Sequence, residues 1–149
     1  MELPESVKRV SYTGTCWVAT DTQRSITHIR DNSQMCNTRF HDGITHVKLG
    51  MRYKYPPIIP HSVTHLKISF TPKQRLVYPY VTHLKFGKHY TGSIKNHDMS
   101  SVTHLKFHPQ YKERIKWCVP RSVIYLEYQG YVITGTRLEE YYVSGPLKN

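Results

Sequence analysis

Acidic side chains are scarce in this chain, and unevenly so. Ten Asp and Glu stand against 21 Lys and Arg, and between residues 43 and 112 a single acid, Asp98, faces eleven Lys and Arg. The first 42 residues balance at five against five, and residues 113–149 carry five basic and four acidic side chains. The formal net charge of +11 therefore belongs to the middle of the chain. That asymmetry points to an acidic partner or a polyanion, with solubility accounting for part of it. Cysteine is also sparse: Cys16, Cys36 and Cys118 are odd in number and lack C-x-x-C spacing. This disfavours a disulfide framework or a zinc knuckle and favours a reduced, intracellular setting. No run of 18 or more apolar residues is present, so no membrane-spanning helix is expected. Met1-Glu2-Leu3-Pro4-Glu5 has neither a basic leader nor an apolar stretch and does not read as a signal peptide. Apolar residues make up only 38%, while Tyr (12) and Pro (9) are plentiful, a composition suited to a thin, elongated core.

What the chain has in abundance is one pentapeptide. Ser25-Ile26-Thr27-His28-Ile29 recurs as Gly43-Ile44-Thr45-His46-Val47, Ser62-Val63-Thr64-His65-Leu66, Tyr80-Val81-Thr82-His83-Leu84 and Ser101-Val102-Thr103-His104-Leu105. Degenerate copies flank these, Ser6-Val7-Lys8-Arg9-Val10 and Ser122-Val123-Ile124-Tyr125-Leu126. The first aliphatic stands at 7, 26, 44, 63, 81, 102 and 123, a period of 18–21 residues. Such a period marks a repeat architecture in which each unit is one coil. Within the copies the spacing is L-x-x-L-x-L, as in Val63, Leu66, Ile68 and Val81, Leu84, Phe86, the strand signature of leucine-rich repeats. The expected fold is a β-rich, leucine-rich-repeat-like solenoid of about seven coils with one parallel sheet and little helix, strands stacking at about 4.8 Å. One domain is expected over 1–149, with coils starting near 3, 22, 40, 59, 77, 98 and 119 and a C-terminal cap over 127–149. Leu138-Glu139-Glu140-Tyr141-Tyr142-Val143 reads as a last, shortened copy within that cap.

Further columns fill the interior. Nine residues after the first aliphatic come Cys16, Met35, Tyr53, Pro72, Tyr90 and Tyr111, and thirteen after come Leu76, Ile94 and Ile115. Three before come Pro4, Pro60 and Pro120, placed to set the corner into the strand without removing a ladder donor. Coils this short leave room only for extended or 3₁₀ segments on the far side.

Ile59-Pro60-His61-Ser62-Val63-Thr64-His65-Leu66, and Val81-Thr82-His83-Leu84-Lys85-Phe86-Gly87 with Tyr90 and Ile94, resemble the two halves of the FNIP repeat pattern. That family is a branch of leucine-rich repeats from social amoebae and amoeba-infecting large DNA viruses. The resemblance covers about residues 3 to 126 and implies an interaction module, inside a host cell or a virion. The sequence departs from the pattern by Tyr in place of Phe and by Lys54, Thr91 and Lys112 where the pattern has Asn. The F-box that precedes the repeats in many relatives is not seen ahead of Leu3, which weakens a ubiquitin-ligase adaptor role.

Strand alternation places two columns on the open face. One is His28, His46, His65, His83 and His104; the other is Arg30, Lys48, Lys67, Lys85 and Lys106. Aligned cations repel, so the columns read as a partner-binding groove for an acidic protein surface or, alternatively, for nucleic acid or another polyanion. Imidazole charging near pH 6 would tighten such binding. The competing reading is a solvated face copied by duplication. The threonines preceding the histidines read as a structural hydrogen-bonding column. Parallel imidazoles without a carboxylate do not converge on a metal, and no coil differs enough to mark a catalytic site, so neither metal, cofactor nor enzyme activity is expected. Residues 107–117 mix aromatics with cations, as single-strand nucleic-acid grooves do; with Tyr111 and Ile115 inside, Trp117, Lys112 and Arg114 remain as the exposed candidates. Val7, Val10 and Tyr12, in a coil with almost no cap, are candidates for self-association.

Overall fold

The structure is a computed structural model that describes residues 3–14, 24–33, 40–53 and 57–143. Cys16, Met35, Cys36, Lys54 and the tail of the expected cap, Pro146 included, lie outside the described residues.

Each copy of the repeat begins with a turn. The N–H of the first aliphatic donates to the carbonyl three residues earlier: Val7 to Pro4 (2.9 Å), Ile44 to His41 (3.1 Å), Val63 to Pro60 (3.1 Å), Val102 to Met99 (3.0 Å) and Val123 to Pro120 (3.1 Å). Only a carbonyl is asked of the first turn residue, so proline fits there without a lost donor. The turn feeds a short strand: β1 (Arg9–Gly14), β2 (His28–Ser33), β3 (His46–Leu49), β4 (His65–Ile68), β5 (His83–Phe86), β6 (His104–Phe107) and β7 (Tyr125–Tyr128). These pair in chain order as a parallel ladder, with His28, His46, His65, His83, His104 and Tyr125 in register. After β5 and β6 the chain turns again, the Tyr90 N–H donating to Gly87 and the Tyr111 N–H to His108. The far side consists of turns and short extended stretches, such as the parallel bridge of Val77 and Asp98, and no α-helix occurs among the described residues.

The core is a thin seam between sheet and far side. The first, second and third aliphatic positions are buried from Ile44 to Phe107, as are Tyr53, Pro72, Tyr90, Tyr111, Leu76, Ile94 and Ile115 in the two further columns. Burying a side chain of this size contributes roughly 1.5–3 kcal/mol, and in a stack that gain comes mainly from the adjacent coils. One member is polar. Asp31 takes the third position of β2, between Tyr12 and Leu49, and is buried. The Tyr53 hydroxyl donates to its carboxylate.

The C-terminal end departs from the expected arrangement. Gln129 (φ 52°) and Gly130 (φ 81°) both adopt left-handed backbone conformations, the requirement of a two-residue type I′ hairpin. The following strand, β8 (Tyr131–Thr134), therefore runs antiparallel to β7. A two-residue link can make no other pairing, because a parallel return needs a crossover of about a dozen residues. The sheet is therefore parallel from β1 to β7 with one antiparallel strand at its end, and within the expected cap Leu138–Val143 forms no further strand. A 3₁₀ helix (Gly135–Glu140) seats buried Leu138 against the last coil. Tyr142 then bridges to Val119 and donates its hydroxyl to the Val123 carbonyl at 2.6 Å.

Candidate functional site

The alternation within β3–β6 is consistent: Leu or Val and the following apolar residue are buried, whereas His is half-buried and Lys half-buried or exposed. His46, His65, His83 and His104, with Lys48, Lys67, Lys85 and Lys106, line an open groove of about 290 Å³. The imidazoles do not splay as separately solvated rings. His28, His46, His65, His83 and His104 stack face to face, with centroids 4.0, 4.1, 4.1 and 4.2 Å apart and planes within 10–15°. Tyr125 continues the column at 5.5 Å.

Each ring is held from behind by the threonine before it. Thr27, Thr45, Thr64, Thr82 and Thr103 place Oγ1 at 2.8–2.9 Å from Nδ1 of the next histidine. The threonine column links coil to coil through main chain and side chain: Thr45 and His46 N–H both donate to the Thr27 carbonyl, the same pairing repeats at Thr45, Thr64 and Thr82, and the hydroxyls of Thr45, Thr82 and Thr103 lie 3.2–3.3 Å from the carbonyl of the preceding coil's threonine.

The stack resists charging. Burial first, then neighbouring cations and rings, lowers the pKa of His28, His46, His65 and His83 below the usual imidazole value. Arg9 and Lys48 act on both His28 and His46, and Lys106 acts on His83. Charging of the column therefore needs more acidic solution than a free imidazole does. Lys67 is affected likewise, its pKa lowered by burial and then by Lys85, Lys48 and Arg30.

The open end of the groove is closed electrostatically by a changed repeat. Where β3 to β6 have His-x-Lys, β7 has Tyr125-x-Glu127, and Glu127 Oε1 lies 3.5 Å from Lys106 Nζ. The Tyr125 hydroxyl donates to the same oxygen at 2.6 Å, and Lys106 Nζ sits 5.2 Å from the Tyr125 ring centre. A carboxylate does therefore adjoin the columns, at their last step. The Tyr125 hydrogen bond, opposed by burial and aided by Lys106, holds the Glu127 carboxyl below its ordinary pKa.

No family model and no curated protein matches the sequence. Among solved structures the chain is similar to that of CroV588, a protein of the giant virus CroV whose crystal structure is described as a novel circular LRR (leucine-rich-repeat) protein. The TM-score is 0.63 at 21% identity, and the match covers 86% of this chain and 22% of that one. The fold is a leucine-rich-repeat-like solenoid. The solenoid thus spans 22% of the length of the protein it matches, and a likeness at this identity speaks for the fold alone.

The remaining candidates of the solenoid are more scattered. Lys112, Arg114 and Trp117 are exposed, Trp117 at 58% with a left-handed backbone (φ 63°) that non-glycine residues seldom adopt. Val7, Val10 and Tyr12 are half-buried on the first coil, and β1 pairs with β2 alone among the described residues. No group of three or more His, Cys, Asp or Glu is placed to hold a metal among the described residues. No helix there is long and apolar enough to cross a membrane. Sequence reasoning missed Asp31, and it missed His97, whose Nδ1 accepts the Leu76 N–H at 3.1 Å while Nε2 meets the Tyr90 hydroxyl at 2.9 Å. Asp31 breaks an otherwise apolar column, and that break was the available signal.

Proposed function

We propose that the solenoid is a non-enzymatic protein-interaction scaffold of FNIP-repeat type, acting inside the cell and binding an acidic partner through the His/Lys groove. The observation that carries this reading is the unbroken pairing of one outward imidazole with one outward cation on five successive coils, His28–Arg30 to His104–Lys106. Nothing else in the chain packs over that face among the described residues. Solenoids typically present such extended surfaces for binding, and the central excess of positive charge complements an acidic one. The S-V-T-H-L repeats support the FNIP assignment, and the likeness to a giant-virus protein is in keeping with it.

The test is a titration of the full chain with poly-glutamate at several salt concentrations, alongside a variant with Lys48, Lys67, Lys85 and Lys106 changed to Gln. Loss of poly-glutamate binding in the variant is expected; undiminished binding refutes the groove. Nucleic acid is the competing occupant. Preferential binding of single-stranded DNA would favour it, with a salt slope flatter by about 0.7 for each phosphate that the variant no longer neutralises.

We further infer that β1 takes a partner strand along its outer edge, with Val7, Val10 and Tyr12 in the interface, since unpaired strand edges template pairing. Sedimentation over a wide concentration range tests this, and a single species of one-chain mass throughout refutes it.

A further inference from the structure

The open face does not keep one character from end to end. At the first coil Arg9 stands beside His28 and Ser11 beside Arg30, so a cation prolongs the imidazole column. At the last coil Tyr125 stands beside His104 and Glu127 beside Lys106. The antiparallel hairpin then adds one more row, with Val132 opposite Glu127 and Thr134 opposite Tyr125. Residues directly opposite in a sheet point to the same face, so Val132, 50% exposed, extends the open face past the lysines. The threonine row changes at the same end. Ile124 stands where the earlier coils have Thr64, Thr82 and Thr103, and its N–H donates to the Thr103 carbonyl as theirs donate to the threonine before. Those threonines are half-buried, whereas Ile124 is 60% exposed.

Single exposed aliphatics are ordinary on a protein surface. What sets these two apart is that both adjoin the Tyr125–Glu127 row, at one end of the cationic face. The cations end at the same step. Lys106 Nζ lies 3.5 Å from Glu127 and 5.2 Å from the Tyr125 ring centre, and β8 carries no cation at all. The face thus runs from cationic at Arg9 and Arg30 to aliphatic at Ile124 and Val132, with Glu127 at the boundary. Nucleic acid does not match that change of character. Its backbone is charged throughout and would meet the Glu127 carboxylate, and Ile124 and Val132 offer its bases no ring. A second copy of this chain does not match either. Its one adjacent pair of acids, Glu139-Glu140, stands beside Tyr141-Tyr142 but is held in the cap by buried Leu138 and by the Tyr142 hydroxyl on Val123. We propose, building on the interaction-scaffold reading above, that the face takes a segment of a partner protein in which an acidic run directly adjoins apolar residues. The acids lie against Lys48, Lys67 and Lys85, and the apolar residues against Ile124, Tyr125 and Val132. Glu127 fixes which way the segment lies by repelling its acidic run from that end.

Three peptides bound to the full chain test this. One is a run of glutamates with two leucines at its N-terminal end, one carries the leucines at its C-terminal end, and a control has two serines in their place. One leucine peptide is expected to bind at least about fivefold tighter than the control, the order expected from burying one or two methylenes. Added salt should weaken all three yet preserve that ratio, because screening acts on the charges and not on the aliphatic contact. Changing Ile124 and Val132 together to Thr should abolish the ratio and leave control binding unchanged. Both side chains are exposed and Thr keeps the β-branch that suits a strand, so the urea midpoint should hold. Leucine peptides bound no tighter than the control, or a ratio that survives the double variant, overturn the apolar end while leaving the acidic-partner reading intact. Binding of no peptide overturns that reading too. Oligo-dT bound tighter than every peptide overturns a protein segment as the occupant. Self-association that the double variant abolishes makes the apolar end a contact between copies and overturns the proposal as well.

Discussion

The hydroxyl of Tyr53 donates to the carboxylate of Asp31, two side chains that face each other across the interior of neighbouring coils. Asp31 occupies the position filled by Leu49, Ile68, Phe86 and Phe107 in the following coils. Removing a hydrogen bond to a buried charge costs about 1.5–3 kcal/mol, so Tyr53→Phe should lower stability by that order. Replacing both partners with apolar groups, Asp31→Leu with Tyr53→Phe, should recover most of the loss. Urea unfolding of the two variants checks this; a double variant no more stable than the single one would contradict it.

Position along the stack should govern the cost of a cavity. Leu66 is 2% exposed in the middle of the sheet, whereas Val10 is half-buried on β1. Leu66→Ala should cost roughly 2–5 kcal/mol, and Val10→Ala clearly less. Equal losses would indicate one undivided core in place of a nearest-neighbour stack.

Acid should loosen the fold before it strengthens any binding. In the folded state His28, His46, His65 and His83 titrate below the value of about 6.5 expected of an unfolded chain. The unfolded chain therefore binds more protons as the pH drops, and stability, full above about pH 6.5, declines as the pH falls through the lowered folded values. Arg9, Lys48 and Lys106 oppose protonation of the stack, as the histidines do for one another. Urea midpoints at pH 7.5, 6 and 5 should fall in that order, and less steeply with His65 and His83 changed to Gln. A flat profile in the unaltered protein would rule the coupling out.

Glu127 should act as a brake on anion binding. Its ion pair with Lys106 is partly exposed, and such pairs contribute about 0.2–1 kcal/mol. Glu127→Gln should free the lysine and tighten poly-glutamate binding by up to about fivefold at low salt, the gain shrinking as salt is added. Weaker binding in this variant would place the anion elsewhere.

The coil, the strand and its sidedness were legible in the residues alone. An S-V-T-H-L pentapeptide returning every 18–21 residues leaves one way to bury its aliphatics, and alternation then sends Lys67 and Lys85 outward as surely as it sends Leu66 and Leu84 inward. Proline at positions 4, 60 and 120 announced the turns for the same local reason. What the histidines are, by contrast, is settled by the packing of coil on coil. That five rings meet face to face, and that each threonine carbonyl from Thr27 to Thr82 takes two N–H groups of the next coil, follow from distances between coils, which no single repeat contains. The reversal of β8 was hidden for a related reason, because Gln129 gives no notice that it will adopt a left-handed backbone. Asp31 is the clearest case: an acid at an interior position is costly in its own coil, and the next coil supplies it with the hydroxyl of Tyr53.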